Sequence, residues 1–137
     1  MDYKHPSQAE IKEILQNAKT IAVVGLSDKP EKTSYQVAKI MQEKGYRIIP
    51  VNPTIESALG EKAYPSLDDV PEKIDIINVF RRSIFLQDVA KDAIKTDAKV
   101  FWAQQGIFDQ EVYDWLKERD FSVIMDYCIK VAYGMIQ

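Results

Sequence analysis

Five short apolar runs alternate with segments whose apolar residues recur at helical spacing, and this alternation constrains the fold more than any other feature. The runs cover residues 21–24, 47–53, 74–80, 100–103 and 122–125. Near-continuous apolar strands separated by amphipathic helices are typical of a parallel sheet covered on both faces. Because crossovers between parallel strands are right-handed, we predict an α/β, doubly wound, Rossmann-like sheet of five parallel strands, most simply in the order 3-2-1-4-5 counted along the chain.

Polar residues before the helical segments predict where the helices begin. Ser7 and Glu10 have the spacing of a capping box, as do Thr33 and Gln36, and Asp109 is a further N-cap candidate. At 137 residues the chain has the length of one domain, 1–137, with residues 1–19 as a leader helix packed on it. Residues 126–137 are predicted to add one or two helical turns.

Residues 21–35 have the layout of a phosphate-binding turn between a strand and a helix. The apolar run breaks at Gly25, which permits a tight turn, and a loop with Lys29 and Lys32 leads to a helix start at Thr33-Ser34. The free N–H groups of a helix start and its dipole favour a phosphate. The alternative is an ordinary surface loop that binds nothing.

Three other polar groups follow predicted strands and are expected at the same edge of the sheet. They are residues 51–53, 79–82 and 103–106. In a doubly wound sheet ligands bind beyond the carboxyl ends of the strands, here near the predicted switch point between the first and fourth strands. Cations, amides and an apolar shelf together suit a phosphorylated nucleotide with a hydrophobic extension.

Two features argue against NAD as that nucleotide. The first turn, Gly25-Leu26-Ser27-Asp28-Lys29-Pro30, is not G-x-G-x-x-G. The second strand ends in Val51-Asn52-Pro53, without the acidic residue that binds a ribose diol. An NAD(P)- or nucleotide-responsive regulatory domain is the alternative function.

Composition sets limits on partners and location. A formal net charge of −3 gives no bulk attraction to nucleic acid. The start of the chain lacks the apolar core of a signal peptide and no run approaches the ~20 apolar residues of a membrane span, so we expect a cytoplasmic protein without membrane contact. His5 has no clustered ligands, so no metal site is predicted, and Cys128 is interpreted as a small buried apolar residue.

Six blocks of sequence, in order, resemble one family. The blocks are Val24-Gly25-Leu26-Ser27 with Pro30-x-Lys32-x-Ser34-Tyr35, Ile49-Pro50-Val51-Asn52-Pro53, Leu59-Gly60-Glu61-Lys62-Ala63-Tyr64-Pro65-Ser66-Leu67, Val79-Phe80-Arg81-Arg82, Trp102-x-Gln104-x-Gly106-Ile107 and Met125-Asp126-x-Cys128-Ile129-Lys130. By these blocks the chain is similar to the small stand-alone CoA-binding proteins of bacteria and archaea, relatives of the CoA-binding domain of the succinyl-CoA synthetase α subunit. After the last block, family members often carry a Glu-His pair and a basic residue, whereas this chain reads Val131-Ala132-Tyr133-Gly134.

The resemblance implies a Rossmann-like fold that holds coenzyme A at the strand ends. By it, the first loop holds the pyrophosphate and ribose phosphate, residues 52–53 and 79–81 flank the nucleotide, and residues 104–106 lie near the pantetheine path. Lys32 is the first candidate, and at least one of Arg81 and Arg82 is expected to contact phosphate. The predicted cofactor-binding residues are Gly25, Ser27, Lys29, Lys32, Thr33, Ser34, Tyr35, Asn52, Pro53, Val79, Phe80, Arg81, Arg82, Gln104 and Gly106.

No nucleophile, base and orienting group are recognisable together, so we predict a module that binds coenzyme A or an acyl-CoA without chemistry of its own. A non-catalytic component of an acyl-CoA ligase or transferase system is a further alternative. A protein partner that supplies catalysis is compatible with either. Phe101 and Trp102 are predicted to be core residues rather than stacking platforms.

Overall fold

The computed structural model describes residues 2–137 as an α/β fold. The helices are α1 (Gln8–Asn17), α2 (Thr33–Glu43), α3 (Leu86–Ala93), α4 (Gln110–Lys117) and α5 (Ile129–Met135). The strands are β1 (Thr20–Val24), β2 (Arg47–Val51), β3 (Ser57–Ala58), β4 (Glu61–Lys62), β5 (Ile76–Val79), β6 (Val100–Ala103) and β7 (Ser122–Ile124). Short 3₁₀ helices span Leu67–Asp69 and Ser83–Phe85. No helix of the described residues is long and apolar enough to cross a membrane.

Five of the strands form one parallel sheet in the order β2-β1-β5-β6-β7, and β3 and β4 form a separate antiparallel hairpin. The predicted α/β class with five parallel strands is confirmed. The predicted order 3-2-1-4-5 is wrong, because in the same count the observed order is 2-1-3-4-5. The switch point therefore lies between β1 and β5, the first and third parallel strands, and not between the first and fourth.

The segment between β2 and β5 explains the different order. In the order 3-2-1, each strand is added on the same side of the one before it. Right-handed connections that add strands in one direction lie on the same face of the sheet, so both connections would have to cross that face. Helix α2 covers one face, and Ala58 of the β3–β4 hairpin packs on the same face. Leu67 and Val70, further along the segment, pack with residues of α3 and α4 on the other face. A right-handed crossover on that second face brings the chain back past β1, so β5 pairs with β1.

Alternate strand residues supply two separate cores. In β1, Ile21 and Val23 belong to the core under α1, α2 and α5, whereas Ala22 and Val24 belong to the core under α3 and α4. This alternation follows from the period of two along a strand. Helices therefore cover both faces, as predicted. Phe101 and Trp102 are both fully buried, on opposite faces, which confirms their interpretation as core residues.

Two of the predicted helix starts are confirmed. The Ser7 hydroxyl accepts a hydrogen bond from the N–H of Glu10 at 3.2 Å, and the Asp109 carboxylate accepts one from Val112 at 3.1 Å. Helix α1 then places Ile11 and Leu15, both almost fully buried, on the sheet. The tail forms α5, in agreement with the predicted final helical turns.

Candidate functional site

The four polar groups predicted at the strand ends lie at one edge of the sheet. Hydrogen bonds continue the sheet pairing beyond the strands. The N–H of Gly25 donates to Val51 at 2.8 Å, that of Phe80 donates to Val24 at 2.8 Å, and that of Gln104 donates to Val79 at 3.1 Å. The loops after β1, β2, β5 and β6 are therefore neighbours, although their sequence positions span some 80 residues.

Gly25 allows two of these loops to approach each other closely. Its φ of +89° lies in a region that other residues rarely adopt. A Cβ at this position would lie 3.0 Å from the carbonyl oxygen of Phe80 and 3.1 Å from Cδ of Arg81. The glycine is thus required by the neighbouring loop as well as by the turn itself.

The start of α2 differs from the predicted capping box. Lys32 is the N-cap residue and its side chain makes no capping hydrogen bond. The Gln36 amide donates instead to the carbonyl oxygens of Pro30 and Glu31, both at 3.4 Å. The capping role predicted for Thr33 is therefore wrong, because the helix already includes that residue as its first position. Within residues 2–137, the backbone N–H groups at positions 33–35 have no protein acceptor.

Three of the predicted cofactor-binding residues make hydrogen bonds that shape the loops. The hydroxyl of Ser34, which is 8% exposed, accepts from the N–H of Ser27 at 3.0 Å. The Ser27 hydroxyl in turn accepts from the N–H of Lys29 at 3.0 Å. The Asn52 amide donates to the carbonyl of Leu26 at 2.9 Å, which fastens the loop after β2 to the loop after β1. These bonds fix the shape of the turn, and a direct ligand contact by the same side chains stays a prediction.

Four cations surround this turn without acidic partners. Lys29, Lys32 and Arg82 are exposed and Arg81 is half-buried. Of the ion pairs found in residues 2–137, none involves these four side chains. The guanidinium carbons of Arg81 and Arg82 lie 4.3 and 5.5 Å from the ring centre of Phe85. The ring supports both guanidinium groups while leaving their N–H donors available to an anion.

A cavity of about 190 Å³ opens at the same edge. Its lining includes Pro53 and Arg81, which are among the predicted contact residues. Pro65, Ser66 and Phe85, which are not among them, also line the cavity. The Pro65-Ser66 pair falls within one of the blocks that carry the family resemblance, so that signal was present in the sequence. A larger cavity of about 460 Å³ lies near the ends of α1, α2 and α5 and contains none of the predicted contact residues.

Several predicted contact residues lie beneath the surface of the site. Val79 is fully buried. Gln104 is 5% exposed, and its side-chain oxygen accepts from the Asn78 amide at 3.2 Å and from the N–H of Ile129 at 2.9 Å. Gln104 thereby joins the start of α5 to the sheet. The half-buried Tyr35 packs against the core under α2.

Gly106 remains at the surface of this edge, at the turn after β6. Its φ is +85°, and an added Cβ would meet no heavy atom within 4 Å. Its N–H donates to the carboxylate of Asp126 at 2.6 Å. The turn is therefore tied to the end of β7, and its outer side is open.

A family model, a sequence relative and a solved structure each match most of the chain. A family model described as "CoA binding domain" matches residues 19–134. An uncharacterized protein of Bacillus subtilis, YneT, is 60% identical over 132 residues, which cover 96% of this chain and 98% of that protein. A hypothetical protein from Pyrococcus horikoshii OT3, whose structure is solved, superposes with a TM-score of 0.92 at 34% identity and covers 99% of both chains.

Longer enzymes match over a smaller part of their length. The alpha subunit of the ADP-forming acetate–CoA ligase II of Pyrococcus furiosus is 39% identical over 61 residues. The match covers 44% of this chain and only 13% of that subunit. This chain thus corresponds to a small portion of the ligase subunit.

Proposed function

Because the chain belongs to the CoA binding domain family, we propose that it binds coenzyme A at the carboxyl edge of its parallel sheet. In this proposal the loop of residues 25–35 holds the phosphates of the cofactor. The lysines of the loop and the two arginines after β5 supply the positive charge. The family membership agrees with the chemistry that these loops offer.

The start of α2 is the observation that carries the proposal. Its first N–H groups have no acceptor among the described residues 2–137, and its N-cap side chain makes no capping hydrogen bond. A phosphate at this position would receive several hydrogen bonds and would be favoured by the helix dipole. The nearby unpaired cations Lys29, Lys32 and Arg81 would add charge-assisted contacts. Protein acids do not compete for them, since none of these side chains forms an ion pair within residues 2–137.

The other loops would hold the rest of the cofactor. Asn52, Pro53 and the backbone of residues 79–81 would flank the nucleotide, beside the cavity lined by Pro65 and Phe85. The open turn at Gly106 would lie along the pantetheine path, with Gln104 fixing that turn from below. These assignments follow the family resemblance and agree with the position of each residue at the edge.

We further propose that the chain is a binding module without catalysis of its own. The ligase subunit that it resembles is much longer, and the similarity is confined to 13% of that subunit. A role as the CoA-binding component of an acyl-CoA ligase system is therefore the second candidate function. An NAD(P)-binding domain is less well supported, since β2 leads into Asn52, whose side chain is engaged by Leu26 and Thr54.

Calorimetric titration of the purified chain tests the proposal. Coenzyme A should bind, dephospho-coenzyme A should bind more weakly because it lacks the 3′-phosphate, and NAD should bind least. At 100 times its Kd, coenzyme A should raise the free energy of unfolding by about 2.7 kcal/mol. Equal binding of coenzyme A and NAD would contradict the assignment of the cations to the 3′-phosphate.

The variant Lys32→Ala tests the loop directly. We expect about tenfold weaker binding of coenzyme A, equivalent to about 1.4 kcal/mol, with little change in the melting temperature of the free protein, because Lys32 is exposed and unpaired. Lys39→Ala is the matched control, since it removes an exposed lysine from the middle of the same helix. If both variants bind coenzyme A equally well, the phosphates do not lie at the start of α2.

A further inference from the structure

Two exposed apolar side chains, Ile84 and Phe108, lie at the same edge as the proposed CoA site. Ile84 is 73% exposed and Phe108 is 39% exposed. Ile84 belongs to the 3₁₀ helix after β5, and Phe108 lies in the loop after β6. The hydroxyl of Ser83 accepts a hydrogen bond from the N–H of Phe108 at 2.9 Å, so the two loops are fixed to each other.

The N-terminal arm extends this apolar surface. The ring of Tyr3 meets that of Phe108 edge to face, with centroids 5.5 Å apart, and also meets that of Tyr113 at 4.9 Å. The Tyr3 hydroxyl accepts from the N–H of Met125 at 2.9 Å, which holds the arm at the end of β7. We refer to Ile84, Phe108 and Tyr3 as the apolar ledge.

We propose that the apolar ledge receives the acyl group of a bound acyl-CoA, so that this site prefers an apolar acyl-CoA to free coenzyme A. The inference rests on the proposed function. The ledge is formed by the loops after β5 and β6, which are assigned above to the nucleotide and to the pantetheine. The acyl group is attached to the free end of the pantetheine, and Phe108 follows Gly106 by two residues in the loop assigned to the pantetheine.

The size and openness of the ledge favour an acyl chain over a protein. A stable protein interface buries roughly 800 Å² on each partner, which is far more than three side chains provide. An acyl chain needs only a narrow apolar surface, and each methylene that it buries contributes favourably. The exposed Val131 and Met135 lie on α5, outside the ledge, so they do not enlarge it.

Titration calorimetry with coenzyme A, acetyl-CoA and hexanoyl-CoA tests this inference on the full chain. We expect hexanoyl-CoA to bind about tenfold more tightly than coenzyme A, and acetyl-CoA to bind about as tightly as coenzyme A. Ile84→Ser and Phe108→Ser should each remove most of the hexanoyl preference while leaving the affinity for coenzyme A unchanged. Ile94→Ser, which alters an exposed isoleucine just after α3, should retain the preference, and Phe108→Leu should retain most of it.

The outcomes separate this inference from the proposed function. Binding of coenzyme A without a preference for hexanoyl-CoA would overturn the acyl assignment and leave the CoA site standing. No binding of any CoA compound would overturn both. If sedimentation shows a dimer that Ile84→Ser converts to a monomer, the ledge is an interface between copies of this chain and the acyl assignment is wrong.

Discussion

Replacement of Gly25 by alanine probes the contact on which the geometry of the site depends. The residue has a φ of +89°, and an added Cβ would lie 3.0 Å from the carbonyl oxygen and 3.2 Å from the carbonyl carbon of Phe80. Because these atoms belong to the backbone, no change of rotamer can relieve the contact. The loop after β5 would have to move away from the loop after β1.

Two costs add in this variant. A left-handed backbone costs a non-glycine residue about 1–2 kcal/mol, and an added methyl group in a tightly packed place costs about 1–3 kcal/mol. We therefore expect Gly25→Ala to lower the free energy of unfolding by about 2–5 kcal/mol. Gly45→Ala is the matched control, since Gly45 has a φ of +104° but no heavy atom within 4 Å of its added Cβ. It should show only the first cost.

Urea denaturation followed by circular dichroism measures both variants. The difference in unfolding free energy between the two variants isolates the cost of the steric contact, which we expect to be about 1–3 kcal/mol. The slope of the unfolding free energy against urea concentration should not change. Equal losses of unfolding free energy in the two variants would show that the loop after β5 moves away from the added methyl group without an energetic cost. The close approach of Gly25 to Phe80 would then have no energetic role, and the reasoning about the rigidity of this edge would fail.

Two further substitutions test hydrogen bonds that stabilise the ligand-free protein. Gln104→Ala leaves the N–H of Ile129 without its acceptor and leaves the Asn78 amide with the carbonyl of Trp102 alone. The unfolding free energy of the ligand-free protein should therefore fall by about 1–3 kcal/mol, and an unchanged value would contradict the anchoring role. The Arg47 guanidinium donates to Glu72 at 2.7 Å and lowers the pKa of that carboxyl below its usual 4.5. The stabilisation by this ion pair is present above pH 4.5 and is lost as the pH falls through the lowered pKa of Glu72. Glu72→Gln should therefore cost at most about 1 kcal/mol at pH 7 and less at acidic pH, and a pH-independent difference would contradict this cause.

The pattern of apolar residues predicts the fold class but not the order of the strands. Strand and helix positions follow from local periodicity, and right-handed crossovers limit the topology. The strand order depends on which face of the sheet is covered by the residues that lead from β2 to β5. That segment has no helical period, so its pattern does not indicate that Leu67 and Val70 pack on the face opposite α2. The observed order changes the position of the switch point, and the proposed site stays at the same edge of the sheet.

Pro50 shows a local conflict that the topology resolves. The sequence predicts that this proline ends the regular pairing, yet it lies within β2 and pairs in register with Val23. Because β2 is an edge strand, only one side of it pairs with β1. The Pro50 carbonyl accepts from Tyr64 on the other side, so the proline nitrogen also faces away from β1 and its missing N–H costs no bond in the ladder.

The sequence predicts which loops are neighbours better than it predicts the contacts of individual side chains. Positions at strand ends follow from topology, whereas hydrogen-bond partners depend on packing between distant segments. Gln104 was predicted as a ligand neighbour because it follows a strand, but its partner Ile129 comes 25 positions later. Phe85 lies under the guanidinium groups of Arg81 and Arg82, and the spacing of residues in the sequence does not predict that position.

The glycine at the first turn has a second consequence for the site. Its missing Cβ leaves room for the aliphatic part of Arg81, whose Cδ would be 3.1 Å from that atom. The arginine therefore passes over the turn after β1, and its guanidinium group reaches the ring of Phe85 at 4.3 Å. A substitution at Gly25 should displace the Arg81 side chain as well as the backbone of Phe80. It follows that Gly25→Ala should weaken binding of coenzyme A even in variants restabilised elsewhere, because the cation would no longer occupy the same place beside the phosphate loop.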